Sequence, residues 1–253
     1  MQELTFLGHA TVLVELAGVR VLTDPVLRPW TTFLRRVSEP TDPVVTLGRL
    51  RPDVVVLSHL HHDHCDLPTL RRLSAGVQVV APVGAGRWLR RHGIANVQEL
   101  VTGESATIGG LSVKAVPAVH DGSRGPLGPR AEAVGYLISD QARTLYFAGD
   151  TALFPAMSDL GEIDVALLPV WGWGPNLGAG HLNPYEAACA ARMIRPRVCV
   201  PVHWGSLAPI GMARLMSHHL YDPPREFARA VRRMDLGTAV VITEPGHRVA
   251  LPR

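Results

Sequence analysis

Residues Val54 to Asp66 read VVVLSHLHHDHCD, so an apolar, β-prone run ends in four histidines and two aspartates. A continuous apolar run of this kind reads as a strand buried on both faces. Its polar end then belongs where a buried strand meets a site that uses ionisable groups. Alternate residues of an extended loop point the same way, so His59 and His61 can chelate one cation together. Asp63 and His64 then turn toward a second position. Imidazole and carboxylate are the donors that suit Zn²⁺, and less exclusively Fe²⁺ or Mn²⁺.

One loop cannot supply the ligands for two ions. Three further apolar runs each end on a single ligand-competent residue: AVPAVH at His120, TLYFAGD at Asp150 and VCVPVH at His203. If all these strands present their carboxyl ends along one edge, the side chains converge on one site. A helix-borne H-E-x-x-H is absent from the sequence, which argues against a thermolysin-like metalloprotease.

The remaining pattern is mixed α and β. LTFLGHATVLVELAGVRVLTDP reads as two or three strands with a turn at Ala17-Gly18, and ESATIGGLSVKAVPAV as a Gly-Gly hairpin. Residues 26–50 carry Pro29, Pro40 and Pro43 with little periodicity and read as a long loop. Short helices are predicted from Asp66-Leu67-Pro68 through Leu73 and over GAGRWLRRHG. A further helix runs from Pro184 to about Ile194, with Asn183 as N-cap and Glu186 completing a capping box. A last helix follows Asp222-Pro223-Pro224. Strands are predicted at QVVAP, TLYFAG, VALLPV, VCVPV and TAVVITE. Two sheets packed face to face with helices outside is the most economical layering, and 253 residues suit a single domain over 1–253.

The chain opens MQELTFLGHATVLVEL without a basic segment ahead of an apolar run, and no apolar stretch reaches the ~18 residues of a membrane span. Cys65, Cys189 and Cys199 are too few and too scattered for a disulfide framework, which points to a reducing cytoplasm. A net charge of +3 is carried by arginines that are scattered or paired along the chain, so no nucleic-acid partner is expected.

The H-x-H-x-D-H loop with His120, Asp150 and His203 resembles the motif of the metallo-β-lactamase superfamily, over nearly the whole chain. The resemblance implies a four-layered α-β-β-α sandwich of two similar halves. It also implies two divalent ions, Zn²⁺ first, with Mn²⁺ or Fe²⁺ as alternatives. By position, His59, His61 and His120 would hold one ion, Asp63, His64 and His203 the other, and Asp150 would bridge them. His61 stands where the flavodiiron oxidoreductases of the superfamily carry Glu, which favours hydrolysis. The stretches LGHATVLVE, LTDP, AGDT, HLNPYEA and PVHWG are similar to the group containing the N-acylphosphatidylethanolamine-hydrolysing phospholipase D and the ascorbate-6-phosphate lactonase. LPVWGWGPNLGAG and LAPIGMARLMSHHLYD match neither, so substrate identity does not carry over.

The implied reaction is hydrolysis, in which a hydroxide shared by two ions attacks a phosphodiester phosphorus or an ester, lactone or amide carbonyl. The substrate would be a small molecule or lipid-like. His181, from HLNPYEA, would bind or polarise the scissile group, and either Asp63 or a metal-bound water would protonate the leaving group. Asp24, in LTDP, would orient ligand imidazoles by accepting their second N–H, and Thr151 would bond within the Asp150 loop. His9 is either structural or site-lining. His62 alternates away from its neighbours, and Cys65 is a packing residue. The apolar residues of the three long loops, Trp30, Phe33, Trp171, Trp173, Ile210 and Leu215 among them, either pack those loops or line a groove. Beside the hydrolase stand a nuclease of the ribonuclease Z kind, an iron-dependent sulfur dioxygenase and a non-catalytic metal-bearing binding protein.

Overall fold

The computed structural model describes residues 3–39, 48, 50–73 and 76–251. Its first sheet contains β1 (Glu3–Gly8), β2 (Thr11–Leu16), β3 (Val19–Thr23), β6 (Val54–Val56), β7 (Gln78–Pro82), β8 (Val97–Leu100) and β17 (His247–Ala250). The second contains β9 (Ser105–Ile108), β10 (Leu111–Pro117), β11 (Val134–Ser139), β12 (Thr144–Phe147), β13 (Val165–Pro169), β14 (Val198–Val202) and β16 (Ala239–Val240). Their orders are β17-β1-β2-β3-β6-β7-β8 and β16-β14-β13-β12-β11-β10-β9. Each sheet has an antiparallel part and a run of parallel strands, β3-β6-β7-β8 in one and β12-β13-β14-β16 in the other. The two halves therefore repeat one plan.

Strand β6 shows why the layers form. Val54 and Val56 enter the core between the sheets with Tyr136, Phe147 and Leu167. Val55 and Leu57 face the other way, against Leu70 and Leu73 of α1 (Leu67–Leu73) and Leu89 of α2 (Gly86–Arg91). An all-apolar strand is thus explained by burial on both faces. On the far side lie α3 (Pro184–Ile194) and α5 (Pro223–Arg233), which bury Ala187, Ala191, Phe227 and Val231. The result is the expected α-β-β-α sandwich. No helix among the described residues is long and apolar enough to cross a membrane.

The Asn183 side chain accepts from the amides of Tyr185 and Glu186, and Glu186 accepts from the Asn183 amide, completing the predicted capping box of α3. The expected long loop over residues 26–50 is corrected in part. Residues 30–31 (β4) and 34–36 (β5) pair with one another, and β5 pairs with β15 (Leu207–Pro209) in a third, three-stranded sheet. These strands are too short to show an alternation. Pro40 and Pro43 lie outside the described residues. Of TAVVITE only Ala239–Val240 is strand, while β8, β11 and β17 were not anticipated. A short helix, α4 (Ser217–Tyr221), precedes α5.

Candidate metal centre

Parallel strands of a sheet end on the same edge, and clefts in layered α/β folds open there. Here Asp24 follows β3, His59 to His64 follow β6, Asp150 follows β12 and His203 follows β14. The ligand atoms of His59, His61 and His120 lie within 4.8 Å of one another, as do those of Asp63, His64, His203 and His9. Asp150 stands between the groups. Its Oδ2 is 3.1 Å from His64 Nε2 and 4.0 Å from His120 Nε2, and its Oδ1 is 3.1 Å from His203 Nε2. Each group takes side chains from both sheets.

The rings are set from behind. Nδ1 of His120 lies 2.9 Å from the Gly180 carbonyl oxygen, and Nδ1 of His203 lies 2.6 Å from that of Trp171. A carbonyl only accepts, so both Nδ1 atoms carry the proton and both Nε2 lone pairs face inward. Asp24 Oδ2 accepts from His64 Nδ1 at 2.7 Å and from Ser58 Oγ at 2.5 Å, while Oδ1 accepts from the Ser58 amide. Ser58 Oγ, its proton given to Asp24, is left to accept from His59 Nδ1 at 2.9 Å. The Asp24 carboxylate thus orients two imidazoles, one directly and one through Ser58.

These donors fit divalent cations. His59 Nε2 is buried with no hydrogen-bond partner. His64 Nε2 and His203 Nε2 face each other at 3.0 Å, and His61 Nδ1 faces His120 Nε2 at 3.1 Å. With the outer nitrogens donating, His64 and His203 set lone pair against lone pair, an arrangement that needs positive charge between them. A tetrahedral ion with Zn–N bonds of ~2.0–2.1 Å holds its ligand nitrogens about 3.3–3.4 Å apart.

Electrostatics agree. Burial lowers His59 and His203 well below the ordinary imidazole value, leaving neutral imidazoles. Burial pushes the Asp150 carboxyl up, but His203 and His64 outweigh it and hold the group well below the usual carboxylate range. His64 moves oppositely: burial opposes its charge, yet Asp150 and Asp24 raise it well above the ordinary value. A cation taken between His64 and His203 therefore exchanges for a proton.

Asp63 Oδ2 accepts from Trp173 Nε1 at 2.9 Å and pairs with His9 Nε2 at 3.0 Å. His9 is buried at φ 56° between β1 and β2, its amide donates to Ser206 Oγ, and its carbonyl accepts from the His203 amide. It is both structural and site-lining. His181 Nε2 lies 3.4 Å from Asp150 Oδ2, and at 22% side-chain exposure it is the most open member of the cluster with His120 and Asp150. With those two it forms another ligand-competent group. Thr151 Oγ1 accepts from the Val119 amide and donates to the Ala152 carbonyl, which ties the Asp150 loop to the residue before His120.

His62 points outward and meets Arg124, while Cys65 is buried against α1. At the rim, His219 stacks on Trp171 and the Phe33 ring meets Trp173 edge-on with centroids 5.1 Å apart. Trp30, Phe33, Ile210 and Leu215 remain exposed around it. Ser58 was missed in the sequence, and Trp173 was seen only as an apolar loop residue. The doubled tryptophan of VWGWG was the available signal.

The family described as the beta-lactamase superfamily domain matches residues 19–204. A UPF0173 metal-dependent hydrolase of Methanopyrus kandleri is 33% identical, across 96% of this chain and 97% of its own length. An N-acyl-phosphatidylethanolamine-hydrolyzing phospholipase D of Caenorhabditis elegans is 32% identical across 82% of this chain, and the match spans 64% of that protein. Among solved structures, the metallo hydrolase Igni18 of Ignicoccus hospitalis superposes with a TM-score of 0.77 at 26% identity, covering 100% of this chain and 99% of that one.

Proposed function

The chain belongs to the metallo-β-lactamase superfamily, among its metal-dependent hydrolases, and from that premise we propose a single hydrolase domain over residues 1–253 that binds two divalent ions. His59, His61 and His120 would hold one ion and Asp63, His64 and His203 the other, with Asp150 placed to serve both. The observation that carries this reading is the Asp150 carboxylate, which faces His64, His203 and His120 at once from between two ligand groups. The all-nitrogen-and-oxygen donor set suits Zn²⁺, with Mn²⁺ or Fe²⁺ as alternatives. Ions bound there supply Lewis acidity and acidify water toward neutrality.

The chain's own groups do the rest. The Gly180 and Trp171 carbonyls and Asp24 fix imidazole tautomers, so the donors are aimed before any ion arrives. His9 and Trp173 hold the Asp63 carboxylate. Both place their N–H on one oxygen, so Asp63 enters the reaction as a proton acceptor and can pass a proton on only after receiving one. His181, at the open side beside Asp150, binds the scissile group and donates to the oxygen on which negative charge develops.

The substrate we favour is a phosphodiester or a lactone, ester or amide that carries an apolar part. The exposed rim of Trp30, Phe33, Ile210 and Leu215 supports an apolar moiety, as does the phospholipase among the relatives. The three free cysteines support a reducing, cytoplasmic setting. Elemental analysis after reconstitution, followed by a hydrolysis panel of phosphodiesters, lactones and acyl esters, tests the reading. About two ions per chain and turnover of one class are expected. One ion per chain, with Asp63 and His203 replaceable without effect, would remove it.

A further inference from the structure

Four arginines that the sequence scatters are brought together by the fold. Arg87 and Arg91 lie four residues apart on α2, hence on one face. Arg124 and Arg130 come from the loop between β10 and β11, and all four line a cleft of about 640 Å³ with Trp88 and His62. Among the described residues, no hydrogen bond or ion pair is made by the side chains of Arg87, Arg91 or Arg130. The nearest carboxylate on the flanking strand, Glu99, is occupied by Arg90 and by the amides of Gly84 and Gly86. Asp66 is taken by Arg28. Positive charge of this density repels itself until an anion arrives.

Arg124 gives the cleft a fixed wall. Its guanidinium sits 4.8 Å over the Trp88 ring, donates to the carbonyls of Leu60 and Cys65 at 3.0 and 2.7 Å, and reaches His62 Nδ1 at 2.9 Å. One face of the cleft is therefore the outer side of the histidine loop whose inner side carries His61, Asp63 and His64. Guanidinium forks match the paired oxygens of a phosphoryl group, and several forks around one anion favour a dianion. The volume falls within the ~300–1,000 Å³ of small-ligand sites.

We propose that this cleft is a binding site for the phosphoryl group of a small anionic ligand, separate from the ligand cluster and on the opposite side of the histidine loop. Arg87, Arg91 and Arg130 grip the oxyanion, and Trp88 offers a flat surface to whatever the phosphoryl group is attached to. An extended nucleic acid is disfavoured because the arginines encircle one cleft and do not form a track.

The test is calorimetric titration of the metal-loaded chain with inorganic phosphate at constant ionic strength, with chloride as reference. Phosphate should bind in preference to chloride, and its Kd should rise at least tenfold in Arg87→Gln/Arg130→Gln. Metal content and melting temperature should not change, since both side chains are exposed; Arg91→Gln alone should show a smaller loss. A second arm uses phosphatidylcholine vesicles with and without phosphatidic acid. Binding to the acidic vesicles that disappears in the double variant identifies a lipid headgroup as the source. Phosphate binding without vesicle binding identifies a free phosphorylated compound. No preference for phosphate overturns the proposal. So does an unchanged Kd in the double variant, which would locate phosphate at the metals, or tighter binding of a single-stranded oligonucleotide.

Discussion

The indole N–H of Trp173 donates to Oδ2 of Asp63 at 2.9 Å. The two residues are 110 positions apart, and the bond joins the rim of the cleft to the histidine loop. Trp173→Phe keeps a ring against Phe33 and removes only the donor. Hydrogen bonds to charged groups are worth about 1.5–3 kcal/mol. We expect kcat/KM to fall roughly tenfold, with metal content retained because His9 still holds the carboxylate. Steady-state kinetics beside elemental analysis checks this, and unchanged kinetics would reduce Trp173 to packing.

Asp150 and Asp24 should separate cleanly. Asp150→Ala removes the carboxylate that, among the described residues, faces both ligand groups, so metal and activity should be lost together. Asp24→Ala leaves every proposed ligand in place but frees the His64 ring and Ser58. Loss of such a supporting carboxylate weakens metal affinity ~10–100-fold and leaves activity at saturating metal. Titration of both apo-variants with Zn²⁺ is the measurement, and identical behaviour would show one role misassigned.

For His181→Ala we expect full metal content and a fall in turnover of roughly 10²–10³, the range for losing one oxyanion-stabilising donor. The loss should lie in kcat, because the interaction strengthens in the transition state. His181 also stands within ligand distance of His120 and Asp150. Loss of an ion in the variant would therefore make it a ligand.

The cysteines give a prediction that needs no substrate. Burial pushes the Cys65 thiol up to about 12 and raises Cys199 further, while Cys189 is half-buried. Thiolate is the reactive form and the Cys65 and Cys199 sulfurs are buried, so a maleimide should spare both on the native chain and reach only the half-buried Cys189. The sign of the linkage follows. Well below pH 9 the Cys65 and Cys199 thiols are neutral folded or unfolded; as pH passes 9 the unfolded chain ionises first. Stability should fall as pH rises from about 9 toward 12, measured by urea unfolding of wild type against Cys65→Ala.

The strand ends that deliver His59, His120, Asp150 and His203 were legible because a buried run and a ligand-type residue are both local features. The Asn183–Glu186 box was legible for the same reason. What stayed hidden depends on segments meeting in space. Trp173 reads as an apolar loop residue until the fold carries its N–H to Asp63. Arg87 and Arg130 read as scattered charges until they share a cleft. The three-residue strands of the rim sheet are shorter than any period that could announce them.

Each ligand group draws from both sheets: His59 and His61 from the first with His120 from the second, Asp63 and His64 from the first with His203 from the second. A cation in either position would thus be a cross-link between halves otherwise joined by apolar packing and a few hydrogen bonds, such as that from the His203 amide to the His9 carbonyl. Neither of these two groups is complete within one half, so an ion held by either would join the halves. By mass action it then adds about RT ln(1 + [M]/Kd) to their cohesion. If ions occupy these positions, metal supply would bear on the mechanical integrity of the sandwich as well as on its chemistry, and chelation would loosen the seam between the sheets.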